Sequence, residues 1–478
     1  MLFNSTSFVI FLPVVFILFW TLTRNNLRAQ NILLLIASYF FYACWDWRFL
    51  FLLIFSTVLD FFTGLKIGSS KKSSTKKFWF WLSIIVNLGF LGVFKYYNFF
   101  TESFAVAVSN FGLKVNPGTL NLILPIGISF YTFHGLSYVI DVYKDRITPE
   151  NNFIDYSLFV SFFPLLVAGP IERATHLLPQ IKQQKKFDYK KSVDGLRQIL
   201  WGLFKKVVIA DNCAKHVDII FSNYGDLSGS TLLVGAVLFA FQIYGDFSGY
   251  SDIALGTARL FGIELLRNFA YPYFSRDIAE FWRRWHISLS TWFRDYLYIP
   301  LGGNSGGVLR KVINIFIIFL VSGFWHGANW TFIAWGFLNA LFILPSVILK
   351  TNRKNIEIVA KGRVLPNFKE ASAMITTFTA AVFAWIFFRS ETISKAVHYI
   401  SGIVSRSLFS VPTIRPTNLF VLILLFITVE WFGREEQFAI AKLGLKSHPF
   451  YRYSFYFAII FSLLWFGGEK HQFIYFQF

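Results

Sequence analysis

Apolar runs recur from one end of the chain to the other, parted by short polar stretches. Ser7–Thr23, Phe49–Leu65, Phe78–Phe94, Asn329–Leu349 and Ser454–Phe466 are the clearest. Each is near the roughly 20 residues that a helix needs to cross the hydrocarbon core. The whole pattern predicts about 11 to 13 membrane segments, some short enough to be re-entrant or interfacial. The expected fold class is all-α and polytopic, with residues 1–478 forming a single membrane domain; a soluble protein with buried helices is excluded. There is no repeat, no Pro/Ser-rich linker and no polar stretch long enough to fold by itself.

Five stretches break the apolar pattern: "LPIGISFYTFHGLSYVIDVYKDR" (Leu124–Arg146), "PLLVAGPIERA" (Pro164–Ala174), "QIYGDFSGYSDIALG" (Gln242–Gly256), "FWRRWHISLSTWFRDYLYIPLGGN" (Phe281–Asn304) and "VSGFWHGANWTF" (Val321–Phe332). Each sets Gly, Pro or an ionisable residue in or beside an apolar run. Polar groups at membrane depth persist only where protein or a water-filled cavity surrounds them. A cavity is therefore expected where these stretches meet.

Wound at 100° per residue, Glu280–Leu297 predicts one amphipathic helix. Phe281, Trp282, Trp285, Leu289, Trp292, Phe293, Tyr296 and Leu297 share an arc. Arg283, Arg284, Ser290 and Arg294 lie opposite, with His286 at the edge. Such a helix can lie in the membrane interface; alternatively its arginines and His286 line a polar entrance that holds anionic parts of a substrate.

Composition sharpens this picture. The chain is 55% hydrophobic and 15% charged, against roughly 25% charged in soluble domains. Its net charge of +19 is concentrated in short loops: Lys66–Lys77, Ile181–Lys191 and Lys350–Arg363. Lysine and arginine in short loops mark the cytoplasmic side and attract anionic lipid, so membrane lipid is an expected partner and nucleic acid is not. With "TRNNLR" (Thr23–Arg28) inside, the N-terminus begins outside, and "GGEKHQFIYFQF" ends outside. The first apolar run lacks a basic n-region and a cleavage site, so it reads as a retained helix. Cys44 and Cys213 make neither a disulfide framework nor a zinc site, and no metal is expected.

Among candidate chemical groups, His326 stands between two spanning runs, flanked by Gly323 and Gly327 and followed by Asn329. Glycines there permit a sharp turn or a close approach. A neutral imidazole in this setting can act as a general base near pH 7, or it is simply a hydrogen-bonded core histidine. Asp246 and Asp252 lie in a stretch that fits no metal loop, phosphate loop or nucleophile elbow. Asp246 is either structural, an orienter of the base or the receiver of a basic partner. Glu172 and Arg173 read as a helix cap at the cytoplasmic surface and His134 as a core residue first. His176, His216, His398, His448 and His471 carry no signal.

Taken in order, "SFYTFHGLSYVIDVY", "FFPLLVAGPIERA", "QIYGDFSGYSDIA", "FWRRWHISLSTWFRDYLYIPLGGN" and "SGFWHGANWTFIAWG" resemble the membrane-bound O-acyltransferase family, over nearly the whole chain. The bacterial branch that O-acetylates exported polysaccharide fits best; the D-alanyl-transfer branch of teichoic-acid modification shares the framework. The resemblance implies a ring of helices around a central funnel, with a catalytic core over roughly 122–349. It implies His326 as the family's near-invariant histidine and His286 as its second position. It implies no bound cofactor and an acyl thioester, acetyl-CoA or an acyl carrier, as donor substrate on the cytoplasmic side. A bacterial inner-membrane location, a polysaccharide acceptor and a periplasmic SGNH-type acetyltransferase partner are expected with it. Arg283, Arg284, Arg294, Asn329, Asp246 and Ser290 are the expected supporting or binding residues. D-alanyl transfer from a carrier protein, lipid acylation and plain transport of donor or polymer remain alternatives, the last weakened by the lack of an inverted half-repeat.

Overall fold

The computed structural model describes residues 1–167, 169–445, 447–468 and 473–474; His471 lies outside them. Among the described residues the regular elements are helices, with no strand. Six of these helices are long and apolar enough to cross a membrane, and Thr6–Leu22 and Thr417–Phe432 are shorter and apolar. The chain is an all-α, multi-pass membrane protein. Several apolar runs become short helices that do not span, because Pro or Gly interrupts them: Phe153–Ser161 stops at Phe162, and Phe163–Leu166 restarts on Pro164. The chain separates into two compact units, Met1–Ser192 with Thr257–Leu266, and Val193–Gly256 with Arg267–Phe478.

The first unit contains α1 (Thr6–Leu22), α2 (Leu27–Ala43), α3 (Arg48–Ser69), α4 (Ser73–Leu91), α5 (Tyr97–Ser109), α6 (Ile128–Tyr143), α7 (Phe153–Ser161), α8 (Phe163–Leu166) and α9 (Ala174–Ile181). Ser5, Asn26 and Asn152 start α1, α2 and α7 by accepting backbone N–H bonds. These caps satisfy donors that a helix start leaves open. Polar groups tie α3 to its neighbours. Asp60 accepts from Ser83 Oγ at 2.6 Å and from Asn87 Nδ2 at 2.8 Å. A Cβ on Gly135 of α6 would lie 1.9 Å from the Asp60 carboxylate, so only glycine lets α6 pass there.

Glu172 departs from its expected surface position: it is wholly buried. Its carboxylate accepts from Leu266 N–H at 2.6 Å and faces His176 Nδ1 at 2.8 Å. Two donors that need an acceptor draw it inward. Its own N–H donates to Nε2 of the buried His134 at 3.0 Å. Arg173 takes the N-cap position of α9 without a side-chain cap bond.

The second unit begins within α10 (Tyr189–Leu203), which continues through a π-helical stretch, Phe204–Ala210, into α11 (Asp211–Ser222). α12 (Gly229–Leu260) is 32 residues long and mostly buried. Glycines seal its seam with α10. Added Cβ atoms on Gly249 and Gly256 would lie 2.7 Å and 2.4 Å from the carbonyl oxygens of Gly202 and Gly195. Helices in lipid gain little from hydrophobic association, and small residues let backbones pack closely. After α13 (Ile278–Arg284) and α14 (Ile287–Phe293) come α15 (Gly307–His326) and α16 (Trp330–Ile348), packed as a hairpin. α17 (Phe368–Arg389), α18 (Ile393–Ile403), α19 (Thr417–Phe432) and α20 (Pro449–Phe466) follow.

Candidate active site

The aromatic and basic stretch does not form the single amphipathic helix its spacing predicts. α13 ends at Arg284, Trp285 is extended (φ −102°, ψ 128°), and His286 is left-handed (φ 43°, ψ 55°). Backbone pairing with an upstream segment explains the break. Ala270 N–H donates to Arg284 O at 2.9 Å, and Ile287 N–H donates to Asn268 O at 2.9 Å. The carbonyl of Arg284 and the N–H of Ile287 are thereby taken up outside the helix. A non-glycine residue held left-handed costs about 1–3 kcal/mol, and the surroundings must enforce it.

The break also scatters the arginines. Arg284 donates to the wholly buried Glu280 at 2.7 Å and to Ala270 O at 3.2 Å. Arg276 also reaches Glu280, at 3.0 Å, so this buried carboxylate has two guanidinium partners. Arg283 donates to the carbonyls of Asn352 and Asn355 at 2.7 and 2.8 Å. Arg294, exposed, pairs with its neighbour Asp295 at 2.8 Å. Ser290 Oγ donates to Trp285 O at 3.4 Å. These side chains do not converge on His286 as one basic entrance.

The break turns the His286 imidazole into the interior, where it is wholly buried. Phe247 meets it edge-on, with centroids 4.6 Å apart. Nδ1 lies 2.9 Å from Asn268 Oδ1. Asn268 Oδ1 also receives Ser288 Oγ at 3.0 Å and Ser288 N–H at 3.4 Å, while Asn268 Nδ2 faces Ser251 Oγ at 3.2 Å. A backbone N–H can only donate, so the atom facing it is the amide oxygen, and His286 Nδ1 carries the proton. Nε2 then holds a lone pair, with no hydrogen-bond partner among the described residues. Burial pushes this imidazole down to about 3, which keeps it neutral.

His326 ends α15 and is also buried. Trp325, Trp335 and Phe388 enclose its ring at centroid distances of 4.9, 5.1 and 5.4 Å. The flanking glycines make this possible: a Cβ on Gly323 would lie 2.2 Å from Phe332 O, and one on Gly327 would lie 2.1 Å from the Phe332 ring. The two imidazoles approach to 6.4 Å between centroids, at 55°. Residues far apart in sequence are thus neighbours inside one aromatic enclosure.

Asn329 stands outside this pair. It caps α16 by accepting from Thr331 N–H at 3.0 Å and donates to Glu391 O at 2.9 Å. Asp246 pairs with Lys206 at 2.7 Å and accepts from Ile474 N–H at 2.7 Å; Lys206 also meets Asp211 at 2.8 Å. Of the roles read for Asp246, the structure gives it the basic partner. Lys205 reaches Asp252 at 2.6 Å, Ser248 at 3.2 Å and Glu430 at 3.7 Å. These groups, with Ser251, Asn268 and Arg267, line one small polar pocket. Sequence reasoning missed Asn268, Lys205 and Lys206. The lysines had a signal, a dibasic pair inside the apolar run "LWGLFKKVVIA". Among the described residues no group of three His, Cys, Asp or Glu could hold a metal ion.

A buried histidine pair in a multi-pass helical protein can be compared with known proteins. Residues 150–387 match the MBOAT, membrane-bound O-acyltransferase family. A protein described as probable alginate O-acetylase AlgI from Pseudomonas aeruginosa is 38% identical over 444 residues, spanning 91% of this chain and 82% of that protein. The chain belongs to the membrane-bound O-acyltransferase family. Another member, a peptidoglycan O-acetyltransferase from Helicobacter pylori, is 38% identical over 84% of this chain and 80% of its own length. A teichoic acid D-alanyltransferase from Streptococcus thermophilus is more distant, 29% identical over 61% of this chain and 75% of its own. This MBOAT protein is an O-acyltransferase, and His286, His326 and Asn268 all fall within the matched residues.

Proposed function

We propose that this MBOAT enzyme acetylates hydroxyls of an exported polysaccharide, drawing the acetyl group from a cytoplasmic thioester. The acceptors in its relatives' names support a polymer substrate: alginate and peptidoglycan. The acetyltransferase relatives also match more of this chain, and at higher identity, than the D-alanyltransferase does. The lysine-rich loops favour a bacterial inner (cytoplasmic) membrane, with the donor on their side. The donor is acetyl-CoA or an acyl carrier, both thioesters. Transfer is direct or passes through a periplasmic SGNH-type acetyltransferase.

The observation that carries this reading is the 6.4 Å approach of two buried imidazoles. His326 takes the proton of the attacking hydroxyl as its oxygen bonds to the thioester carbonyl. The C–S bond breaks, and the imidazolium returns its proton to the departing thiolate. General-base help of this kind contributes roughly 10²–10⁴ in rate. With Nδ1 protonated, His286 offers an acceptor at Nε2. That argues against an oxyanion donor there and for a group that holds an N–H or O–H of the bound substrate. The aromatic walls exclude water, which would otherwise hydrolyse the thioester. Arg294, offered to solvent, suits an anionic group of donor or acceptor; Arg283, Arg284, Ser290, Asn329 and Asp246 hold the framework.

The test is the O-acetyl content of exported polymer in cells carrying His326→Ala, with membrane insertion verified. Acetylation is expected to be abolished. Wild-type acetyl content would overturn the assignment of the base.

A further inference from the structure

Asn268 grips the His286 turn twice. Its carbonyl accepts from Ile287 N–H at 2.9 Å, on the far side of the left-handed residue. Its side-chain oxygen faces Nδ1 of the same histidine, also at 2.9 Å. The amide is itself fixed: Nδ2 donates to Ser251 Oγ at 3.2 Å, and Oδ1 receives both the Oγ and the N–H of Ser288. Asn268 is 1% exposed, so bulk solvent does not reach these bonds. A flip of the amide would set Nδ2 against the Ser288 N–H, donor against donor, whereas the hydroxyls of Ser251 and Ser288 can serve either orientation. The amide therefore has one satisfied orientation, and the imidazole has one tautomer to match it.

We infer that Asn268 is the positioning residue that fixes His286 in its Nδ1–H form and so leaves the buried Nε2 as the bare, accepting nitrogen. The choice of tautomer matters because the two ring nitrogens are chemically opposite in a neutral imidazole. With Nε2 bare, His286 can hold a substrate N–H or O–H. With the proton moved to Nε2, the same ring would offer a donor and repel that group. An acceptor on the far nitrogen is the general device for setting which form is present. A carboxylate would serve the same purpose, as an acceptor without a donor face. Asn268 touches the histidine and not the reacting atoms, so its effect runs through His286. The inference rests on the proposed role of the histidine pair but makes a separate claim about one bond.

The experiment joins a spectroscopic readout to activity. Protein labelled with ¹⁵N-histidine is reconstituted in lipid bilayers, and the His286 resonances are identified by their loss in His286→Ala. The expected wild-type signature is protonated Nδ1 and bare Nε2. Asn268→Leu, which keeps bulk and removes the acceptor, is expected to give mixed tautomers and to lower polymer O-acetylation in cells by roughly 10²-fold, the scale of one misplaced active-site group. Asn268→Asp is expected to keep protonated Nδ1 and recover most of the acetylation. In the double variant Asn268→Leu/His286→Ala, acetylation is expected to be no lower than in His286→Ala alone.

A wild-type His286 protonated on Nε2 would overturn the inference. So would an Asn268→Leu protein that keeps the tautomer, whether its activity is normal or lost, since loss without a tautomer change is a structural effect. Failure of the underlying reading looks different: His286→Ala or His326→Ala would then acetylate normally, while the tautomer still followed residue 268.

Discussion

Adding one carbon to Gly323 tests how far catalysis depends on the α15/α16 seam. A Cβ there would lie 2.2 Å from Phe332 O and 3.0 Å from its carbonyl carbon. Carbon and carbonyl oxygen settle no closer than about 3.3 Å, so the two helices must separate by about 1 Å. The obstructing atom is backbone and cannot rotate away. Overpacking of this kind costs about 1–3 kcal/mol. His326 follows within one turn on α15 and moves with it, and a 1 Å misplacement can lower activity by about 10²-fold. Two glycines serve as controls. Gly336→Ala meets the same obstacle about one turn further from His326 along the hairpin, 2.2 Å from Phe319 O, and should destabilise equally with a smaller loss of activity. Gly89→Ala has no atom within 4 Å of the new carbon, so it should be neutral or stabilise α4 by up to about 1 kcal/mol. Thermal unfolding in detergent reads stability, and O-acetyl content of exported polymer reads activity. If Gly323→Ala matched Gly89→Ala in both, the account of the seam would be wrong.

Two further outcomes are expected. Lys206→Met strands the buried carboxylates of Asp211 and Asp246 and should cost about 3–5 kcal/mol in thermal unfolding; replacing both acids by Asn in the same protein should return most of that loss, and no loss from Lys206→Met would refute the pairing. The Glu172 hydrogen bond raises the pKa of His176, so the pair contributes below the ordinary histidine value of about 6.5 and is lost as pH rises through the raised value. The melting difference between wild type and His176→Gln should therefore be largest below about pH 6 and vanish in alkali; a difference constant with pH would count against the ion pair.

Much of this architecture was legible in the sequence, because apolar runs and their polar interruptions report the membrane directly. The placing of His326 at a turn between two helices was legible from its flanking glycines, which the structure uses to let Phe332 approach. His286 was harder to read. Residue spacing assigns it to the edge of a helix wheel, while its place is decided by backbone bonds to residues 268 and 270, and no helical period reports partners on another segment. The same limit hid Asn268, one polar residue in a connector. The arginines misled for a related reason: charge seen along a wheel does not reveal that Glu280 and the carbonyls of residues 352 and 355 already hold two of them. Glu172 was misplaced because nothing local tells that it serves Leu266.

The glycine seam between α10 and α12 bears on how the chain enters the membrane. α12 carries Asp246 and Asp252, and inserting two carboxylates alone at mid-helix costs about 5–7 kcal/mol on the biological insertion scale. Their counter-ions, Lys205 and Lys206, sit just beyond α10 and are synthesised first. α12 is thus a weak membrane segment on its own and an acceptable one beside its predecessor. Close glycine packing holds the backbones near enough for each lysine to meet its acid. α12 is therefore expected to insert poorly when expressed alone and better when α10 and the lysines precede it. Swapping the charges between the two segments would preserve the final pairs while changing which charges are synthesised first.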